Sequence, residues 1–499
     1  MATSSSSNAL MWRRLFRRFE GRGVSLQSQL RDMVVQALAE GFIAPGAALP
    51  SSRSLALALG LSRTTVSIVL QSLSDQGLIE GRPRSGYYAL MGALNAQAPR
   101  RPLADAPDQA AQWGTRLKQH PAAQRNIRKP ANWQQQPYPF IYGQWDEGLF
   151  PFRHWRSCVL ESLQAQSVRR WAPDHLDRDE ASLLAQVHSR LLPARGIWVE
   201  RDEILITNGA QQATYLLAQL LMDRNTRVGI EDPGYPDARN VFSLQTRHVL
   251  PLPVDADGLV ISPALKRCDY VYLTPSHQCP TTVTMSLARR QALLDAAQQH
   301  DIMLLEDDHE SELNFAGRPT PALKSLDTAG RVLYLGSLSK TLAHGLRLGY
   351  LVAPAPVVRE LRAMRRLMMR HVATNNQQAA ASFIAHGFHE AYVRRLNLAY
   401  RERARVLTAA LAQHVPQLQV SAARGGSALW VQGPSGLDTS ALAERLLAQG
   451  VVVEPGSVFY ADPPTVCNAM RIGYSSIAVD RIEEGVRIIA RELKGVRSR

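Results

Sequence analysis

The chain has 499 residues, too many for one ordinary domain. Its 45% hydrophobic content is normal for a globular protein, and no run of about 18 apolar residues would span a bilayer. The formal net charge is +14 and four cysteines are scattered through the chain, so a polyanion partner fits and a disulfide framework does not.

The charge is unevenly placed. Residues 1–90 hold ten Arg, no Lys and five acids; residues 91–137 hold seven basic residues and two acids; the remainder is nearly balanced. Cys158, Cys268, Cys279 and Cys467 have no metal-knuckle or redox spacing, which suits free thiols in a reducing cytoplasm. Residues 1–22 combine a Ser4-Ser5-Ser6-Ser7 run with Arg13, Arg14, Arg17 and Arg18 and lack the apolar core of a secretory signal. The expectation is a basic, disordered N-terminal arm, with an organelle transit peptide as the alternative.

Residues 23–90 read as a small DNA-binding domain. Leu26, Leu30, Met33, Val34 and Leu38 share a helical face that stops at Gly41. Ser51 or Ser52 caps a short helix carrying Leu55, Ala56 and Leu59, and Gly60 breaks it. Ser62 caps a second helix with inner face Val66, Val69, Leu70 and Leu73, closed by Gly77. Two short helices across a tight glycine turn make a helix-turn-helix, and Arg63, Thr64, Thr65 and Ser67 begin the helix that enters a major groove. Residues 78–80 and 87–90 flank a basic tip with Arg82 and Arg84, a wing suited to phosphates or a minor groove. The runs at 49–56 and 61–66, followed by this wing, resemble the GntR family of bacterial winged-helix regulators. The resemblance implies double-stranded operator DNA as partner, with Arg53 and Arg63 as contacts; Ser67 stands where some members carry a basic residue.

Residues 91–137, rich in Ala, Pro, Gln and Arg, read as a flexible basic linker spanning roughly 35–40 Å as a coil. Its basic residues either touch DNA or only aid solubility.

From 138 to 499, apolar runs at 204–207, 227–230, 270–273, 302–305, 332–335 and 348–352 alternate with helical stretches. That pattern predicts an α/β domain with a mostly parallel sheet covered on both faces, and ligands gathered at the strand C-termini. A smaller α+β lobe is expected from about 375. Polar clusters follow the strands. Asn208-Gly209-Ala210-Gln211-Gln212 opens a helix whose first amides suit a phosphate. Tyr235 follows Pro233-Gly234 and is placed either to stack on a ring or simply to pack. Glu306-Asp307-Asp308-His309-Glu310 offers a carboxylate to a pyridine nitrogen or, alternatively, ligands to a divalent metal. Gly336-Ser337-Leu338-Ser339-Lys340 precedes Arg347 by seven positions. A lysine amine beside hydroxyls and an arginine suits pyridoxal 5'-phosphate (PLP): the amine condenses with the cofactor aldehyde, and Ser and Arg hold the phosphate.

Together with 274–278 and 287–290, these clusters resemble the fold-type I PLP aminotransferases from about Phe140 onward. Over nearly the whole chain they resemble the MocR subgroup of the GntR family, in which a winged helix is fused to an aminotransferase-like domain. The resemblance implies that Lys340 is the catalytic residue, carrying PLP as an internal aldimine, and that Asp307 pairs with the ring nitrogen. It implies further that Tyr235 stacks on the ring, that Ser337, Arg347 and the amides of Ala210 and Gln211 hold the phosphate, and that Arg471 grips a substrate α-carboxylate. No metal is implied. Two positions depart from the pattern: His309 stands where the subgroup carries a tyrosine near the ring hydroxyl, and Thr282 stands where it carries glycine, so a side chain there crowds the cofactor or demands a different turn.

The expected function is a cytoplasmic, homodimeric transcription regulator that senses an amino acid, an amine or PLP through Lys340. One alternative is a working aminotransferase that also binds DNA; another is a DNA binder on a retired scaffold, with no membrane attachment in either case.

Overall fold

The computed structural model describes residues 4–19, 24–83, 85–90, 113–174, 178–315 and 320–496. Two compact units divide the chain, Met1–Lys118 and Gln119–Arg499.

The first unit contains helices α1 (Ser4–Arg17), α2 (Leu26–Ala39), α3 (Ser52–Leu59) and α4 (Arg63–Asp75), then strands β1 (Ile79–Arg82) and β2 (Gly86–Ala89). Side-chain caps set the helix starts. Ser25, Ser51 and Ser62 accept hydrogen bonds from the amides of Ser28, Ser54 and Thr65 at 3.2, 3.1 and 3.0 Å. Gly60 closes α3 in the left-handed conformation, at φ +68°. The inner face expected of α4 is buried with Leu30, Met33 and Val34 of α2, Leu38 packs against them half-buried, Leu26 is exposed, and β1 pairs antiparallel with β2 as the wing.

The N-terminal arm is a correction. Instead of disorder, α1 and the turn after it bury Trp12, Leu15, Phe16 and Phe19 in the same core, each 5% exposed or less. These residues lie at i, i+3, i+4 and i+7, a helical stripe that the surrounding Ser and Arg obscure. Burying each large side chain stabilises by about 1.5–3 kcal/mol, enough to order a short helix.

In the second unit, β3 (Tyr138–Pro139) pairs parallel with a later strand of the small lobe. The main sheet uses β4 (Ile204–Thr207), β5 (Arg227–Asp232), β6 (His248–Asp255), β7 (Gly258–Leu259), β8 (Tyr270–Leu273), β9 (Met303–Asp307), β10 (Val332–Ser337) and β11 (Gly349–Val352). Their order is β4-β11-β10-β9-β8-β5-β6-β7. β5, β6, β8, β9 and β10 run parallel to their neighbours in this set, while β11 is antiparallel to both β4 and β10. Both faces are buried: Leu305, Leu333 and Leu335 enter one core, while Leu304 and Val332 enter another.

The small lobe carries β12 (Gln419–Val420), β13 (Ala428–Gln432), β14 (Val451–Val452), β15 (Glu454–Pro455) and β16 (Ala469–Gly473). Its antiparallel sheet has the order β12-β13-β16-β15, and β14 is the partner of β3. The 27-residue helix Phe388–His414 precedes it.

The linker also needs correction. The second unit begins at Gln119, so residues 119–137 pack on it and do not form a free coil. Side-chain bonds to backbone, which leave no periodic trace in sequence, hold them there: Gln124 Nε2 donates to Asn240 O at 3.0 Å and Arg125 Nη2 to Ala461 O at 2.6 Å.

Candidate functional site

The C-terminal ends of the parallel strands converge on a cavity of about 300 Å³. All nine residues expected there line it: Ala210, Gln211, Tyr235, Asp307, His309, Ser337, Lys340, Arg347 and Arg471. β9 ends on Asp307 and β10 on Ser337, with Lys340 three residues beyond; Arg347 sits just before β11. Arg471 comes from the other side, from the middle of β16.

One end of the cavity is built for an oxyanion. The 12-residue helix Ala210–Leu221 starts there with its first amides free of helical partners. Gly209, at φ +80°, opens the approach; a Cβ on it would lie 3.1 Å from Arg347 Nη2. Ser337 Oγ accepts the Ser339 amide at 3.3 Å, and Ser339 Oγ is buried without a hydrogen-bond partner.

At the floor, Asp307 Oδ2 accepts from Tyr272 OH at 2.5 Å, whereas Oδ1 is buried without a hydrogen-bond partner. Burial raises the pKa of this carboxyl; His309 and the Tyr272 hydroxyl act against the rise. His309 Nδ1 lies 4.0 Å from Asp307 Oδ1. Tyr235 OH donates to Asp237 Oδ2 at 3.1 Å, with Gln211 Oε1 as a second acceptor in reach at 3.3 Å, which places its ring at the cavity wall.

Lys340 Nζ donates to Gly143 O at 3.4 Å and sits 4.2 Å from the centre of the Tyr142 ring. Gly143 is required for this approach, since a Cβ there would lie 2.2 Å from Nζ. Burial brings the Lys340 amine down to about 8, with Glu310 pulling upward and Lys129 and Arg471 adding to the fall. At pH 7 about a tenth of an amine with that value is unprotonated, against well under a thousandth of an ordinary lysine, which favours its use as a nucleophile.

Arg471 is already engaged. Its Nε donates to Glu454 Oε2 at 2.8 Å across the β15–β16 register, and its guanidinium lies 3.9 Å from the Tyr142 ring centre. Both cations therefore contact the Tyr142 ring. Tyr142, Lys129, Ile127, Ser339, His344, Cys279 and Asp237 also line the cavity and were not singled out from sequence. Of these only Ser339 carried a readable signal, being part of the Ser-Leu-Ser-Lys run.

Thr282 lies outside the lining residues. It occupies the left-handed region, at φ +64°, and its Oγ1 lies 2.9 Å from Ser421 Oγ in the small lobe. Crowding of the cavity is therefore not its effect; the turn that favours glycine is kept, at a backbone cost of about 1–2 kcal/mol. Among the described residues no group of three or more His, Cys, Asp or Glu is arranged to hold a metal ion.

On the first unit, Arg53, Arg63 and Thr64 are exposed, while half-buried Thr65 shares the Ser62 cap at 2.8 Å between hydroxyls. Arg82 is exposed but pairs with Glu80 at 2.9 Å and lies 4.3 Å over the Tyr88 ring. Arg84 lies outside the described residues.

Comparison with known proteins follows the two units. Residues 26–88 match the gntR family of bacterial regulatory proteins, and residues 144–489 match aminotransferase class I and II. The HTH-type transcriptional regulator TauR of Rhodobacter capsulatus is 41% identical over 95% of this chain and 97% of its own length. The probable rhizopine catabolism regulatory protein MocR of Rhizobium meliloti is 29% identical over 93% and 92%. Among solved structures, the α-aminoadipate aminotransferase LysN of Thermus thermophilus, complexed with N-(5'-phosphopyridoxyl)-L-leucine, aligns with TM-score 0.69 and 28% identity over 77% of this chain and 99% of its own. A Pyrococcus horikoshii kynurenine aminotransferase aligns with TM-score 0.67 and 25% identity over 79% and 99%.

The residues present fit PLP. The unpartnered Asp307 Oδ1 suits a pyridinium N–H, the unpartnered Ser339 Oγ and the Gly209–Arg347 cradle suit a phosphate, and the Lys340 amine suits an aldehyde. PLP is the cofactor that this fold and these donors indicate. With a GntR helix-turn-helix domain, an aminotransferase class I and II domain and relatives aligned along nearly their full length, the chain belongs to the MocR subgroup of GntR transcription regulators.

Proposed function

We propose that this regulator carries PLP on Lys340 and that an amino acid, an amine or PLP itself, bound in the same cavity, changes its grip on operator DNA. The observation that carries the reading is the pair of buried, unpartnered oxygens, Asp307 Oδ1 and Ser339 Oγ, facing a cavity that also holds an amine near its titration point. When bound, PLP supplies an aldehyde that condenses with amines and a ring that withdraws electrons.

The chain's own residues do the rest. Asp307 keeps a negative charge at the cavity floor for the ring nitrogen. Ser337, Ser339, Arg347 and the first amides of Ala210–Leu221 would hold the phosphate, and Lys340 would supply the amine for the aldehyde. Tyr235 and His309 border the ring. Gly143 O and the Tyr142 face would be the partners of the Lys340 amine whenever it is free. Arg471 receives an acid group. Arg53, Arg63, Thr64, Thr65, Arg82 and Arg84 are assigned to DNA, and a cytoplasmic homodimer would place two such faces on two half-sites.

Binding to a duplex from the gene's own upstream region, measured across a salt series with PLP and a pool of amino acids, tests this reading. An amino-acid effect on DNA affinity that vanishes in Lys340→Ala is the expected result. An effect that survives in Lys340→Ala would contradict it, and steady turnover with an amino donor and a keto acid would favour a working aminotransferase.

A further inference from the structure

The segment that leads from the DNA-binding unit into the cofactor unit enters the cavity. Gln119 Nε2 donates to Leu244 O at 3.2 Å and Gln124 Nε2 to Asn240 O at 3.0 Å; Asn240 Nδ2 returns bonds to Arg125 O at 2.9 Å and Asn126 Oδ1 at 2.7 Å. Asn240 belongs to the helix Pro236–Ser243, which starts directly after Tyr235. On the opposite rim, Arg125 Nη2 donates to Tyr460 O at 3.1 Å and Ala461 O at 2.6 Å in the small lobe. The segment is therefore a strap fastened to both lobes, and from it Ile127 and Lys129 line the cavity.

The charges around Lys129 show what it is placed to do. Four lysine or arginine residues line the cavity: Lys129, Lys340, Arg347 and Arg471. Arg347 sits in the phosphate cradle and Lys340 is the amine. Arg471 spends its Nε on Glu454, and both partners of that pair are buried, at 3% and 4% side-chain exposure. An acid group arriving at Arg471 alone would meet a nearly neutral pair and the negative Glu454 oxygens. Lys129 alters that balance. It lies within the electrostatic reach of Glu454, Arg471 and Lys340, and makes no hydrogen bond or close ion pair among the described residues. Glu454 Oε1 is buried without a hydrogen-bond partner and attracts this second cation at longer range, while the exposed Lys129 side chain keeps the freedom to turn toward an arriving acid group.

We propose that Lys129, carried by the connector between the two units, binds the acid group of an amino-acid ligand together with Arg471. The cavity then selects amines that bear a carboxylate over amines that do not, and the acid group pins the strap that leads to the DNA-binding unit. The inference rests on the cofactor reading above.

Two stable conjugates separate the acid group from everything else: N-(5'-phosphopyridoxyl)-L-leucine and its counterpart N-(5'-phosphopyridoxyl)-3-methylbutylamine, which lacks only the carboxylate. Their dissociation constants are measured by calorimetry on the full chain for wild type, Lys129→Met and Lys129→Arg. The expected result is a wild-type preference for the leucine conjugate that falls at least tenfold in Lys129→Met and returns in Lys129→Arg, with the amine conjugate binding all three alike. The leucine conjugate should also slow tryptic cleavage after Arg125 and Arg128 in wild type, where the amine conjugate does not. An unchanged preference in Lys129→Met overturns the inference, as does an equal loss for both conjugates, which would mark Lys129 as a general packing residue. If neither conjugate binds wild type, the cofactor reading falls and takes the inference with it, a pattern distinct from the other two.

Discussion

Asp307 and Asp308 are adjacent, both buried, and have opposite fates. Asp307 faces the cofactor cavity with one oxygen unpartnered. Asp308 faces a second cavity of similar size, about 290 Å³, behind β10. There its two oxygens receive Arg195 Nε at 2.7 Å, Arg195 Nη2 at 3.2 Å, Tyr334 OH at 2.8 Å and Ser276 Oγ. Burial raises Asp307, while at Asp308 the same burial is outweighed by Arg195 and the hydroxyls, which hold it well below the usual carboxylate range. A completed hydrogen-bond set marks a structural carboxylate; an incomplete one, at equal depth, marks a place kept for a ligand.

That contrast is broken most forcefully at Asp308. Replacing it with Asn leaves the buried Arg195 cation without its counter-charge and should cost about 3–5 kcal/mol, read from denaturant unfolding. The sign of the pH dependence follows from the depressed pKa: the Asp308 contribution is present above the ordinary carboxylate value and is lost as pH falls below it. Asp307→Asn should behave oppositely. Its raised pKa means that ionisation costs stability at neutral pH, so the cofactor-free variant should be as stable as wild type or slightly more so. Its dissociation constant for PLP, followed by absorbance titration, should rise about tenfold or more through loss of a charged hydrogen bond. Equal destabilisation by the two substitutions would erase the distinction.

Ser339→Ala sharpens it further. Deleting an unpartnered buried hydroxyl should leave cofactor-free stability unchanged while weakening PLP or free phosphate binding by about 1 kcal/mol. The smallest effect is expected at Glu310, which raises the Lys340 pKa. Capture of PLP by wild type should speed up as pH rises through about 8 and then level off. In Glu310→Gln the midpoint should move to lower pH by a fraction of a unit, visible in stopped-flow rates; a move to higher pH would contradict the assignment.

Much of this was readable in the sequence because the signals were local. Ser51, Ser62 and Gly60 mark helix ends through their own side chain or backbone, and the apolar runs ended where β4, β5, β8, β9, β10 and β11 end to within two residues. Strand ends of a parallel sheet share one rim, so Asp307, Ser337 and Lys340 were bound to meet. Long-range contacts were not readable. Lys129 reaches the cavity through Gln124 and Arg125, whose bonds span more than 100 residues. Tyr142, which touches both Lys340 and Arg471, follows β3, whose partner β14 lies more than 300 residues away in the chain. Trp12, Leu15, Phe16 and Phe19 had a helical period, but the serines and arginines around them suggested a solvated arm. His248–Asp255, the strand β6, was missed because its prolines interrupt the apolar run.

The central claim is that Lys340 stands in a PLP site, and the visible absorption spectrum of the protein with added PLP, beside Lys340→Ala, tests it most directly. The account predicts a yellow lysine–PLP chromophore in wild type, removable by competing amines and absent in Lys340→Ala. A wild-type spectrum identical to that of Lys340→Ala would contradict it.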